Sequence, residues 1–170
     1  MPISLHQVSS LPLVRTLSNL AAILEKAKAH AEARGIEERV LLEARLFPDM
    51  FPLVRQVQIA VDVATRGIDR LAGQTVSSVE DTEASFSELI QRIRNAVAHI
   101  ERVSPEALDG AEDRDVSFEL RGESVTFNGQ HYLLSFVWPN VFFHVTTAYA
   151  ILRHSGVELG KRDYLGNIFG

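Results

Sequence analysis

Apolar residues recur along this chain in four blocks, at the alternating three- and four-residue steps that mark one face of an α-helix. In the first block Val14, Leu17, Ala21, Leu24, Ala27 (or Lys28) and Ala31 share a face, and Arg15, Asn19, Glu25, Lys26 and Glu32 lie opposite. Pro12 suits the first turn, where its missing N–H has no partner to lose, Ser10 is a nearby cap, and Gly35 is a natural stop. The second block, opened by Pro52 and closed by Gly73, holds Val54, Val57, Val61, Ala64, Ile68 and Leu71 in strict 3-4-3-4-3 spacing, which predicts a bundle seam. Beside that seam runs a row of Leu53, Gln56, Ala60, Val63 and Gly67, so Gln56 is polar among apolar neighbours. The third block is Phe86, Leu89, Ile93, Val97, Ile100 and Val103. Thr82 or Asp81 is its expected cap, Glu83 sits in its first turn, and Ser104-Pro105 ends it.

The fourth block, Trp138 to His154, is the most apolar. Phe142, Val145, Tyr149 and Leu152 form its seam, and Val141, His144, Ala148 and Ile151 a flanking row. Pro139 starts this helix and Gly156 stops it. Apolarity on nearly all sides predicts the innermost helix, covered by the other three. His144 is the residue such a helix would not ordinarily hold.

The connecting segments read differently. Residues 1–12 are an extended entry or a short helical start, and 36–51 a connector with a helical turn around Glu38–Ala44. Residues 74–81 form a polar loop. Between 104 and 130, Asp109-Gly110, Arg121-Gly122 and Asn128-Gly129 mark turns, and Val116–Leu120 and Val125–Phe127 alternate as strands do. Gly122-Glu123 is the expected hairpin turn, and a lone hairpin must pack on the helices to be stable. Residues 131–137 are expected to be helical. The tail is expected to be an ordered loop through Leu165 and a fraying end beyond it. The fold class is therefore mainly α: one domain over 1–170, a four-helix bundle with a small β-hairpin insertion before the last helix.

Composition narrows the chemistry. A chain of 170 residues can bury a proper core. A net charge of -5 offers no basic surface for nucleic acid or an anionic membrane. Cysteine is absent, which removes disulfides and thiolate chemistry and fits a reducing cytoplasm. The N-terminus lacks the basic and apolar regions of a secretion signal. Ser124 to Leu152 carries no charged residue, but Asn128, Gly129, Gln130, His131, Pro139, Asn140 and His144 interrupt every window long enough for a membrane span.

Motifs add little. Gly156 to Lys161 has too few residues between its glycines for a phosphate loop, and it follows a helix rather than a strand. The seams contain no Asp or Glu, so no acid–base carboxylate pair is expected, and Asp62, adjacent to the second block's seam, takes a solvated or edge position. A metal site wants two or three converging imidazoles or carboxylates. Of the six histidines only His144 lies on a strongly apolar helix. It reads first as a buried neutral histidine bonded to a neighbour, and second as a ligand or proton-transfer group in a pocket between helices. His154, near a helix C-terminus, suits capping of the last carbonyls.

Pro139-Asn140, Phe143-His144, Thr147-Ala148-Tyr149, Ile151-Leu152-Arg153-His154, Gly156-Val157, Gly160-Lys161 and Asp163-Tyr164-Leu165-Gly166 resemble the signature of an uncharacterised bacterial family in the DinB/YfiT-like superfamily. Arg45-Leu46, Pro48 to Pro52 and Gln56-Val57 resemble its second block. The resemblance spans essentially the whole chain. It implies an up-down-down-up bundle, with 104–138 as the long crossover, and a homodimer. It also implies a divalent metal, held in many members by one histidine of the second helix and a His-x-x-x-His pair of the fourth; some of those are thiol S-transferases. Here the second helix offers Gln56, Ala148 stands four residues after His144, and Ala150 stands four before His154. Glutamine is a poor ligand for nickel or zinc. The expectation is a degenerate metal site without cofactor. A small polar pocket around Gln56, His144 and Tyr149 would bind a small molecule, or the protein would act as a homodimer, and no catalytic residue is assigned. The alternatives are a divalent-metal-dependent transferase or hydrolase using His144 with His99 or His131, and a structural module contacting partners through the hairpin and tail.

Overall fold

The four apolar rows fold as four long helices, α1 (Ser10–Arg34), α2 (Leu53–Leu71), α3 (Phe86–Glu101) and α4 (Trp138–His154). The structure is a computed structural model and describes residues 3–76 and 78–167. The entry segment forms a short helix, Leu5–Val8, before α1. α1 ends at Gly35, whose φ of 63° lets its N–H reach back to the carbonyls of Ala31 and Glu32. The buried face of α1 is rotated from the expected one: Leu13, Leu20 and Ile23 are fully buried, and Val14 and Ala21 only half. Burying leucine and isoleucine removes more apolar area from water than burying valine and alanine. In α2 the predicted seam is the core, with Val57, Val61, Ala64, Ile68 and Leu71 buried.

α3 starts later than expected. Its cap is Ser85, not Thr82 or Asp81. Ser85 Oγ accepts from the Glu88 N–H at 3.2 Å, and the Glu88 carboxylate accepts from the Ser85 N–H at 3.1 Å. The reciprocal pair satisfies two donors at once, which a lone Thr82 could not. Glu38, on the connector helix Glu38–Leu42, accepts from the Phe86 N–H at 2.7 Å.

Side-chain pairs fix the helix directions. Arg94 meets Glu25 and Lys28 meets Ser87, so α1 and α3 are antiparallel. Asp62 meets Arg92 and Asp69 meets His99, each pair seven residues on from the last on both helices, so α2 and α3 are parallel. Gln56 meets His144 and Gly67 abuts Val137, so α2 and α4 are antiparallel. The order is up-down-down-up. The crossover, however, is not residues 104–138. A parallel α2–α3 pair requires the chain to return along α2, about 28 Å. The segment between Ala72 and Ser85 does this, since Asp81 reaches Arg55 and Glu83 reaches Gln58 near the start of α2. Antiparallel α3 and α4 need no such return, so their connection folds into a cap.

That cap begins with a 3-10 turn, Pro105–Leu108, and a hairpin of β1 (Asp115–Leu120) and β2 (Glu123–Asn128). The antiparallel register pairs Asp115 with Asn128 and Leu120 with Glu123. The turn is Arg121-Gly122, one residue earlier than expected, with φ of 54° and 84°. Positive φ at both central residues is the turn whose twist matches a hairpin. Phe118 and Phe127 stack at 6.0 Å and pack on Tyr132 and Phe136. The Arg70 guanidinium lies 4.5 Å from the Phe118 ring, which ties the hairpin to the end of α2.

Pro139 does not restart a helix. A short helix, Gly129–Tyr132, and a π-helical turn, Leu133–Val137, run directly into α4. A proline lacks an N–H and crowds the carbonyl a turn earlier; the wider π turn absorbs both. Asn140 Nδ2 donates to the Phe136 carbonyl at 2.7 Å. The extra residue rotates everything after it by about 100°. α4 packs mainly on α2 and is not innermost: Phe142 and Phe143 stand exposed. The tail helix, Lys161–Leu165, lies against α1 through Lys26–Asp163 at 2.7 Å and Asn19 to the Tyr164 carbonyl at 3.1 Å. The fraying end expected past Leu165 falls largely at 168–170, outside the described residues. No helix among the described residues is long and apolar enough to cross a membrane.

Candidate functional site

Two flanking rows, one on α2 and one on α4, face each other across the antiparallel pair and bring Gln56 and His144 together. Gln56 is 1% exposed and His144 8%. Gln56 Nε2 donates to the Phe51 carbonyl at 3.0 Å, and His144 Nδ1 lies 2.7 Å from Gln56 Oε1. A carbonyl only accepts, so the Phe51 oxygen sets the orientation of the Gln56 amide. The amide then presents its own oxygen to His144, so Nδ1 carries the proton. The lone pair of the neutral ring is therefore on Nε2, which makes no hydrogen bond among the described residues. Burial disfavours the imidazolium and pushes the His144 pKa below its ordinary value. The Phe143 ring meets the imidazole edge-on at 5.2 Å, and Phe143 is 56% exposed. Thr147 Oγ1 donates to the Phe143 carbonyl at 2.7 Å, so both residues flanking this turn of α4 are held.

Tyr149 does not join them. Five residues past His144, it points about 140° away around the helix. It is half-buried and meets Tyr164 of the tail helix at 6.2 Å. His131 bonds Ser135 at 3.1 Å in the cap, and His99 bonds Asp69.

The pair does not fit a divalent metal. Gln56 Oε1 already accepts the His144 N–H and is a poor ligand for nickel or zinc, which leaves one imidazole nitrogen as a good donor. Among the described residues no three His, Cys, Asp or Glu side chains are grouped to hold an ion. Two or three such ligands are the minimum for a protein-held transition metal.

A second polar constellation, on the side of α2 that faces α3, went unnoticed in the sequence. Arg92, 5% exposed, reaches Asp62 at 2.7 Å, Glu83 at 2.9 Å, Asp81 at 3.0 Å and the Glu80 carbonyl at 3.0 Å. Burial by itself would raise the Glu83 carboxyl; hydrogen bonds from Arg92, Gln58 and its own backbone outweigh it and hold the pKa below the usual carboxylate range. Burial likewise opposes the Arg92 charge, and the bonds to Glu83 and Asp62 more than restore it. Asp62, expected at a solvated or edge position, lies half-buried at the edge as a partner in this network and also binds Arg66 at 2.9 Å. One turn-pair further on, Asp69 Oδ1 holds His99 Nε2 at 2.6 Å. The available signal was the matched seven-residue step, Asp62 to Asp69 and Arg92 to His99.

Comparison with known proteins agrees with this architecture. The model of a family described as a domain of unknown function, DUF1993, matches residues 5–165. A crystal structure from Shewanella denitrificans, described as a DinB family member, superposes with a TM-score of 0.91 at 39% identity, covering 98% of this chain and 94% of that one. No curated protein matches.

Proposed function

The chain belongs to the DUF1993 family and has a DinB-like fold, and from that premise we propose that it binds a small molecule at the Gln56–His144 pair, with the superfamily's metal position degenerate. One observation carries this reading: the fixed amide of Gln56 leaves Nε2 of a neutral His144 as an acceptor with no partner among the described residues. Such an acceptor takes an O–H or N–H donor. The exposed ring of Phe143 borders the pair and supplies apolar surface for the rest of the molecule. The ligand class is thus a small, largely apolar alcohol, phenol or amide.

Titrating isotope-labelled protein with a set of small phenols and alcohols tests this. Binders are expected to shift the amide signals of Phe51, Phe143 and His144. Their affinity drops about tenfold in His144→Phe, the loss of one hydrogen bond. Binders that map elsewhere, or that bind His144→Phe equally well, would defeat the proposal.

Homodimerisation is the second reading, supported by the exposed phenylalanines at Phe47, Phe51, Phe142 and Phe143. Apolar rings left in water favour an interface. Light scattering is expected to give twice the 18.9 kDa chain mass, and Phe143→Ser to shift the protein toward monomer. A monomeric mass at every concentration removes this reading.

A further inference from the structure

A cleft of about 380 Å³ opens between α2, α3 and the crossover, within the usual size range of small-molecule sites. Its walls combine the apolar side chains of Val61, Val79 and Ala96 with the imidazole of His99. The Asp69 carboxylate, 1% exposed, accepts from His99, so Nε2 carries the proton and the lone pair of the neutral ring is on Nδ1. No protein group among the described residues bonds Nδ1. The second oxygen of Asp69 is buried without a partner.

The charges around the cleft do not balance. Asp62, Asp81 and Glu83 converge on Arg92, and Arg66 and Arg55 add one cation each, on Asp62 and Asp81. Among the described residues Glu88 on the wall is held by backbone N–H groups alone, and Asp69 stands behind His99. Five carboxylates thus face three guanidinium groups. The terminal nitrogens of Arg92 are taken up by Asp62, Asp81, Glu83 and the Glu80 carbonyl, and its Nε is buried out of reach, so it offers no free cation to an anionic ligand.

We propose that this cleft is a second binding site, for a compact organic cation of the alkylammonium type that donates a hydrogen bond to His99 Nδ1 and lays its alkyl part on Val61, Val79 and Ala96. The surplus carboxylates supply the attraction, and Asp69 orients the acceptor. The site is independent of the Gln56–His144 pair, from which Asp69 lies about 20 Å along α2.

The test is a titration of labelled protein with n-butylammonium chloride, against sodium butyrate and butan-1-ol at equal ionic strength. The expected result is saturable shifts at Asp62, Thr65, Ala96 and His99 with butylammonium alone. His99→Gln weakens that binding at least about tenfold, the loss of a charge-assisted hydrogen bond. Val79→Trp, on the exposed rim of the cleft and remote from the imidazole's own bond, abolishes it and keeps the test decisive if His99→Gln fails to fold. The absence of saturable shifts, equal shifts with butyrate or butanol, or undiminished binding in both variants would overturn the proposal.

Discussion

His144 and His99 each give one ring nitrogen to a partner on α2, but the partners differ in kind. An amide holds His144 and a carboxylate holds His99. An amide orients a ring without stabilising its positive charge, so burial alone governs the His144 proton and lowers its pKa from 6.5. Above that pH the ring is neutral in both folded and unfolded chains, and stability is unaffected. As the pH falls below it, the unfolded chain takes up a proton that the fold resists, so stability declines until the folded ring charges too. Denaturant midpoints compared across this window are expected to fall less steeply in His144→Phe than in the parent. Equal slopes would mean that His144 does not feel its burial. Tyr149 shows a limit of reading at this scale: its neighbourhood along the chain is that of His144, but its direction around the helix is not.

Helices α2 and α3 run parallel, and their contact is a polar ladder rather than a continued seam. Asp62–Arg92 and Asp69–His99 repeat at the heptad step and set the register of the pair. Arg92→Leu removes the one cation on which Asp62, Asp81 and Glu83 converge. Asp62 keeps Arg66 and Asp81 keeps Arg55, but half-buried Glu83 is left with Gln58 and no cation among the described residues, and a loss of about 2 kcal/mol is expected in chemical denaturation. A neutral result would mean that the carboxylates rehydrate freely. The apolar rows that define α2 and α3 were legible in the sequence because burial imposes a helical period on them, whereas in α4 the expected seam is displaced, with Phe142 exposed and the flanking row Val141, His144, Ala148 and Ile151 buried. Gln56 and His144 were legible as a pair because each interrupts such a row. The ladder was not, since its members lie off the seams, and periodicity states which face is buried but not which helix covers it. The crossover was misassigned for the same reason: 104–138 is the longest connection, whereas direction is fixed by pairs such as Arg55–Asp81 that no period encodes. The cap of α3 was written locally, as Ser85 and Glu88, three residues beyond the polar residues that resembled one.

Over the whole molecule, α2 is the shared wall of two unlike places. Toward α4 it offers a neutral acceptor rimmed by phenylalanine; toward α3 it offers an ionic cleft. The π turn and Pro139 give α4 the rotation that brings His144 onto Gln56 while leaving Phe142 and Phe143 in water. An apolar helix was expected to be innermost, and it is instead a half-open wall, because hydropathy does not distinguish core from a surface kept for contact. Everything proposed for the Gln56–His144 pair depends on which ring nitrogen holds the proton. A long-range proton–nitrogen correlation spectrum of histidine-labelled protein near neutral pH reads this directly. The account predicts that His144 is the Nδ1–H tautomer, with an unprotonated Nε2, and that Gln56→Leu mixes the two tautomers. A pure Nε2–H signal for His144 in the parent protein would contradict it.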